Sequence, residues 1–471
     1  IVYAKGSRLM HMLRRWLGDE AFAKGLNAYF AKHQYSNTIG RDLWNALGAA
    51  SGRDVAAFMD SWLEQPGYPV LTAIVENDTL KISQKQFFIG EKEEKGRLWV
   101  VPLNSNWTGI PDTLETETLE IPNYAALAAQ NEGALRFNTE NTAHYITDYQ
   151  GELLDNILAT ITDLDNTSKL QVVQERRLLA EAGFVSFADL IPVVKKLTNE
   201  RSYLVVSAVK SVLTSLKTFV DEGTETEAAF KKLLVKLNQA NFDRLGFEAK
   251  AGETDEDELV RQIVVANMIA ADDEKASQKA SQIFEAYHDT LEKLPAATRL
   301  QILINQIKHH ETKELTDKYL AKYITTVDGN FQRQLASALS YTKNETTLTH
   351  LLEEWKNKDI VKPQDLAMSW YFTFLQHDFT QGTVWTWARD NWDWIKAALG
   401  GDMSFDKFVI YPANIFKTRE RLAEYKAFFE PQLSDLAISR NISMGIKEIS
   451  ARIDLIDKEK AAVEAAIKAT V

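Results

Sequence analysis

The sequence predicts a mostly α-helical fold with a small β-sandwich set between two helical regions. Three observations predict it. Apolar residues recur at helical spacing over residues 4–65, at a spacing of two after Tyr68, and at helical spacing again beyond Gly151. Turn formers are concentrated early, with 12 of the 21 glycines and 5 of the 10 prolines in residues 1–151. At 471 residues, 45% apolar and 25% charged, the chain has material for about three domains. The boundaries that follow are 1–67 for the leading helices, 68–151 for the sandwich and 152–471 for a solenoid-like helical domain.

Each element has its own reason. Leu9, Leu13 and Trp16 share one helical face, and Gly18 stops that run. Asp19 and Glu20 open a second helix, where acidic residues suit the dipole, and Phe22, Leu26 and Phe30 follow four apart. Thr38 is the expected cap of a third helix carrying Leu43, Trp44 and Leu47. Val55, Phe58, Met59 and Trp62 form a fourth stripe, closed by Gln65-Pro66-Gly67. Residues 69–75 are apolar and β-branched, Asn77-Asp78 makes a turn, and Leu80 and Ile82 alternate with polar residues. Further strands are expected over 98–103, 116–121, 134–138 and 144–149. Several short strands at this spacing suggest a sandwich. After Gly151, stripes such as Leu190, Val194, Leu197 and Val209, Leu213, Leu216, Val220 alternate with polar breaks. Successive amphipathic helices bury their faces most simply against neighbours, so an irregular α-solenoid is expected.

Composition excludes several functions. With no cysteine there is no disulfide, thiolate metal site or cysteine nucleophile, which fits a cytoplasmic protein. A net charge of −12 argues against nucleic-acid binding, which needs Lys and Arg to displace counterions. No apolar run approaches the ~18 residues of a membrane span.

One segment carries chemistry. Tyr3-Ala4-Lys5-Gly6, followed by Leu9-Met10-His11-Met12-Leu13, resembles the catalytic-tyrosine segment of zinc aminopeptidases of the aminopeptidase N family. The resemblance continues through Leu17-Gly18-Asp19-Glu20, Gly25-Leu26, Tyr29-Phe30, Asn37-Thr38, Asp42-Leu43-Trp44 and Met59 with Trp62 and Gln65-Pro66-Gly67-Tyr68-Pro69-Val70. Val101-Pro102-Leu103, Phe137-Asn138-Thr139 and Tyr145 are similar to the family's β-sandwich. Within the family the likeness is greatest to the enzymes of lactic acid bacteria. It implies that residues 1–67 are the helical end of a thermolysin-like catalytic domain. It also implies that Tyr3 donates a hydrogen bond to the oxyanion of a peptide substrate, since a phenolic hydroxyl is protonated at neutral pH.

The departures define what this piece can do. The family's zinc is held by His-Glu-x-x-His and a later Glu, and its amine site by Gly-Ala-Met-Glu-Asn; neither motif occurs here. His310-Glu311-Thr312-Lys313-Glu314, beside His309, is the nearest decoy, and a solvated helix end explains it better than zinc. The chain opens on Ile1, not Met, so an N-terminal part bearing the zinc ligands is the expected partner. No catalytic zinc and no hydrolysis are expected of this piece alone. Trp385, Trp387, Trp392 and Trp394 are seven apart in pairs, which on one helix would share faces and pack inward. The alternative function is a non-catalytic α-solenoid scaffold that binds a protein partner.

Overall fold

The leading stripes become four helices in a computed structural model that describes residues 3–90, 95–402 and 404–471. They are α1 (Ala4–Leu17), α2 (Asp19–His33), α3 (Gly40–Ser51) and α4 (Val55–Leu63). Gly18, at φ 82°, ends α1 by donating its N–H to Arg14 O and lets α2 start at the next residue. Asp54 caps α4 by accepting from Ala57 N at 2.9 Å. The expected cap of α3 is displaced by one residue. Ile39 occupies the cap position, and Asp42 accepts from its N–H at 3.0 Å. The Thr38 hydroxyl is engaged instead with Tyr29 Oη at 2.6 Å. Leu9, Met12 and Leu13 bury the inner face of α1, and Trp16 stacks on Phe58 of α4 with centroids 4.2 Å apart.

The alternating region forms β1 (Pro69–Glu76) and β2 (Thr79–Gln86), an antiparallel hairpin in which Val75 faces Leu80. Asn77 and Asp78 both take positive φ, 49° and 57°, which matches the strand twist in a two-residue turn. Short strands β3 (Val101–Pro102) and β4 (Thr113–Leu114) pair with each other. β5 (Thr118–Pro122) lies antiparallel to β2, and helix α5 (Tyr124–Ala128) follows it. β6 (Ile146–Tyr149) joins β1 in parallel, so the described sheet runs β5-β2-β1-β6.

Two strand expectations change. Only Val101–Pro102 of residues 98–103 enters a ladder. Trp99, two residues earlier, is held by a side chain, for Gln84 accepts from Trp99 N at 2.9 Å and donates to Trp99 O at 3.0 Å. Residues 134–138 form no strand, because the run meets Asn138 at φ 52° and turns away. Among the described residues, the α-helices α6 (Glu152–Ala159), α7 (Asn166–Glu181) and α8 (Leu190–Lys196) follow in the unit Ile1–Lys196.

The second unit, Leu197–Val471, is helical among its described residues. Its helices are α9 (Tyr203–Lys217), α10 (Glu225–Leu245), α11 (Asp255–Ala270), α12 (Glu274–Tyr287), α13 (Arg299–His310), α14 (Lys313–Thr325), α15 (Gly329–Leu339) and α16 (Glu345–Glu354). There follow α17 (Pro363–Asp365), α18 (Thr373–Leu375), α19 (Asp378–Asp390), α20 (Trp392–Leu399), α21 (Lys407–Ile415), α22 (Arg419–Phe429) and α23 (Ser439–Lys468). Between α17 and α18, residues Leu366–Phe372 are wound as a π-helix with Trp370 and Tyr371 buried. Most packing joins sequence neighbours, such as α10 with α11 and α12 with α13. One exception matters. The last helix, α23, returns to pack on α10, and Lys460 pairs with Asp221 just ahead of it.

α23 also passes close to α21 and α22. A Cβ at Gly445 would lie 2.4 Å from Tyr425 Oη and 2.8 Å from Ala413 Cβ, and the Tyr425 hydroxyl is committed to Val409 O at 3.1 Å. Alanine is the better helix former by up to ~1 kcal/mol, but overpacking outweighs that gain. Gly445→Ala should therefore destabilise the chain by about 2 kcal/mol, read as a lower urea midpoint.

Candidate functional site

Tyr3 stands one residue ahead of α1 with helical φ and ψ of −77° and −62°, and its carbonyl accepts from Ser7 N at 2.9 Å. Its side chain is 90% exposed. Among the described residues nothing hydrogen-bonds its hydroxyl. The residue is thus carried on the first turn of a helix whose opposite face is buried, with the phenol left free to meet another group.

The floor beneath α1 is built by residues 138–149, which lead into and form β6. Arg8 donates to Asn141 Oδ1 and, at 2.7 Å, to Ala143 O. Arg15 pairs with Glu140 at 2.6 Å, and Met12 Sδ accepts from His144 N at 3.4 Å. The His144 ring lies against Tyr68, 4.9 Å between centroids, and 6.1 Å from Trp62. Burial, with the charges of Arg8 and Lys5 added, depresses its pKa to about 4, so it is neutral here.

Under this floor lies Glu175 of α7. It accepts from Gln171 Nε2 at 3.0 Å and from Thr147 N at 3.3 Å. Burial pushes its carboxyl up to about 8 against those bonds and the charge of Arg8. The acid is therefore largely protonated at neutral pH, a state that lets it sit beside the buried phenols Tyr145 and Tyr149, whose own pKa values burial also raises.

The decoys form no metal site among the described residues. His310 ends α13 and Glu314 belongs to α14, so the two do not share a helix. His310 is exposed and touches Ser281 Oγ at 3.3 Å, while His309 faces Asp272 at 3.4 Å. Among the described residues no three His, Asp or Glu side chains converge as a metal site, and the residues present do not fit a catalytic zinc. The tryptophans do pack inward, but across two helices: α19 stops at Asp390 and α20 starts at Trp392. Trp385 meets Phe416, Tyr425 and Phe429, Trp392 meets Phe405 and Phe429, and Trp387 meets Trp394 edge-on at 6.2 Å. Sequence reasoning missed Arg8 and Glu175 altogether. Arg8 sits in a polar stretch of an amphipathic helix, and its acceptors are more than 130 residues away.

Comparison with known proteins places these features. A family model for the ERAP1-like C-terminal domain matches residues 135–451, and one for the peptidase family M1 domain matches residues 1–62. The chain is similar to aminopeptidase N of Lactococcus lactis subsp. lactis, 60% identical over 469 residues, covering 99% of this chain and 55% of that protein. It is 41% identical over 468 residues to aminopeptidase N of Lactobacillus helveticus, with 99% and 55% covered. Puromycin-sensitive aminopeptidase of Caenorhabditis elegans is 26% identical over 488 residues, with 99% and 51% covered. The chain spans about half the length of the curated relatives it matches.

Proposed function

The chain belongs to the M1 peptidase family and carries its ERAP1-like C-terminal domain, and from that premise we propose that it is the C-terminal part of a zinc aminopeptidase that removes N-terminal residues from peptides. Tyr3 is its contribution to the reaction. The phenolic hydroxyl donates a hydrogen bond to the carbonyl oxygen as that oxygen gains negative charge, an interaction stronger in the transition state than in the ground state. The observation that carries this reading is an exposed tyrosine at the head of an anchored helix, inside the segment that matches the M1 domain.

Zinc and the amine-binding residues belong to the N-terminal remainder of the polypeptide, which is the partner this chain requires. Residues 1–67 are the helical end of the catalytic domain, residues 68–151 a β-sandwich, and residues 152–471 an α-solenoid-like helical domain. The enzyme works in the cytoplasm. No helix described here is long and apolar enough to cross a membrane.

The test is a paired assay. Zinc content and hydrolysis of an amino-acid anilide are measured for this chain alone and for the polypeptide extended upstream through the His-Glu-x-x-His helix. The extended form should hold one zinc and turn over, and this chain should do neither. Stoichiometric zinc in this chain alone would overturn the division of labour.

A further inference from the structure

Residues 138–141 hold an unusual concentration of left-handed backbone. Asn138, Glu140 and Asn141 stand at φ 52°, 60° and 53°, a region that asparagine tolerates and glutamate seldom occupies. The conformation is held from several directions. The Asn138 amide, fully buried, accepts from Ala143 N at 2.6 Å and donates to Ala143 O at 3.1 Å. Thr139 donates twice to Asn104 O, from its N–H and its hydroxyl, both at 3.0 Å. Asn104, itself at φ 43°, donates to Thr142 Oγ1 at 3.0 Å. Strain maintained by so many bonds points to something the segment must present. What it presents is a pair of acceptors, Asn141 Oδ1 and Ala143 O, to a single guanidinium, that of Arg8.

Arg8 lies five residues after Tyr3, with α1 beginning between them. The other contacts of α1 locate it less sharply. Leu9, Met12 and Leu13 bury apolar surface, which attracts without fixing direction. The Arg15–Glu140 pair is half exposed and weakly held. Met12 Sδ accepts from His144 N at 3.4 Å, but a thioether is a weak acceptor. Arg8 supplies two charge-assisted bonds to one short segment, at Asn141 Oδ1 and Ala143 O. We propose that Arg8 is the positioning residue for Tyr3: clamped by Asn141 and Ala143, it fixes the axial position and rotation of α1 and so the place of the phenolic hydroxyl. This rests on the reading of Tyr3 as the oxyanion donor.

The test uses the full-length enzyme with Arg8→Met, Arg8→Lys, Asn141→Gly and Tyr3→Phe, singly, and with Arg8→Met combined with Tyr3→Phe. A misplacement of about 1 Å slows a positioned reaction strongly, so Arg8→Met should lower kcat roughly 30-fold while KM stays within about twofold. Arg8→Lys, keeping charge and a donor, should recover part of the loss. Asn141→Gly removes an acceptor while suiting the left-handed backbone, so it should lower kcat a few-fold with Tm held, and it serves if Arg8→Met does not fold. In the Tyr3→Phe background, Arg8→Met should add little. A normal kcat for both Arg8→Met and Asn141→Gly, or the same factor lost with and without the Tyr3 hydroxyl, overturns the inference alone. A Tyr3→Phe enzyme as fast as the parent removes the reading beneath it as well.

Discussion

Tyr3→Phe in the full-length enzyme is expected to lower kcat by roughly 10²- to 10³-fold, equivalent to about 3–4 kcal/mol of barrier, with KM changed by less than about threefold. Phenylalanine keeps the ring and removes only the donor. Because the ring and its volume are kept, no cavity forms and Tm should change little. That combination separates a chemical role from a structural one. A Tyr3→Phe enzyme that loses substrate affinity at normal kcat would show that the hydroxyl binds ground state and transition state alike.

The second large effect concerns pH. Glu175 has a folded pKa of about 8 against a reference value of 4.5, and burial is the main cause. A folded value above the unfolded one means that the native state holds the extra proton between the two. Stability is then full below about 4.5 and is lost as pH rises through about 8. Over that window the expected loss is on the order of 3–5 kcal/mol. The charged and titratable groups facing it are Arg8 on α1 and Tyr145 and Tyr149 on the β6 segment, with Gln171 beside it on α7. Glu175→Gln has no proton to lose, so its urea midpoint should stay level between pH 5 and pH 9 while that of the parent falls. Parallel midpoints for the two proteins across that range would refute the assignment.

What could be read from the sequence divides along a physical line. The four leading helices and the Asn77-Asp78 hairpin rest on local spacing and turn chemistry, and they fold accordingly. Placing β6 parallel to β1 depends on pairing residues such as Val70 and Ile146, far apart in sequence, for which no local period speaks. The strand expected at 134–138 failed on one residue, Asn138, whose left-handed turn serves its own amide bonds to Ala143. The tryptophan pairs were legible as packing, but not the break between them: Asn391, at φ −108° and ψ 18°, starts a new helix with its side chain bonded to Trp387 O at 2.8 Å. At the site, family resemblance singled out Tyr3. The contacts of Arg8 with Asn141 and Ala143 have no sequence signal, because Arg8 looks from sequence like any solvated position on an amphipathic helix.

The return of α23 onto α10 changes how the helical unit can come apart. A row of stacked pairs with two loose ends unravels from whichever end is weaker. Here the terminal helix is stapled beside the second helix of its own unit, with Val463 and Ile467 fully buried. Unzipping from the tail must first break the contact of α23 with α10.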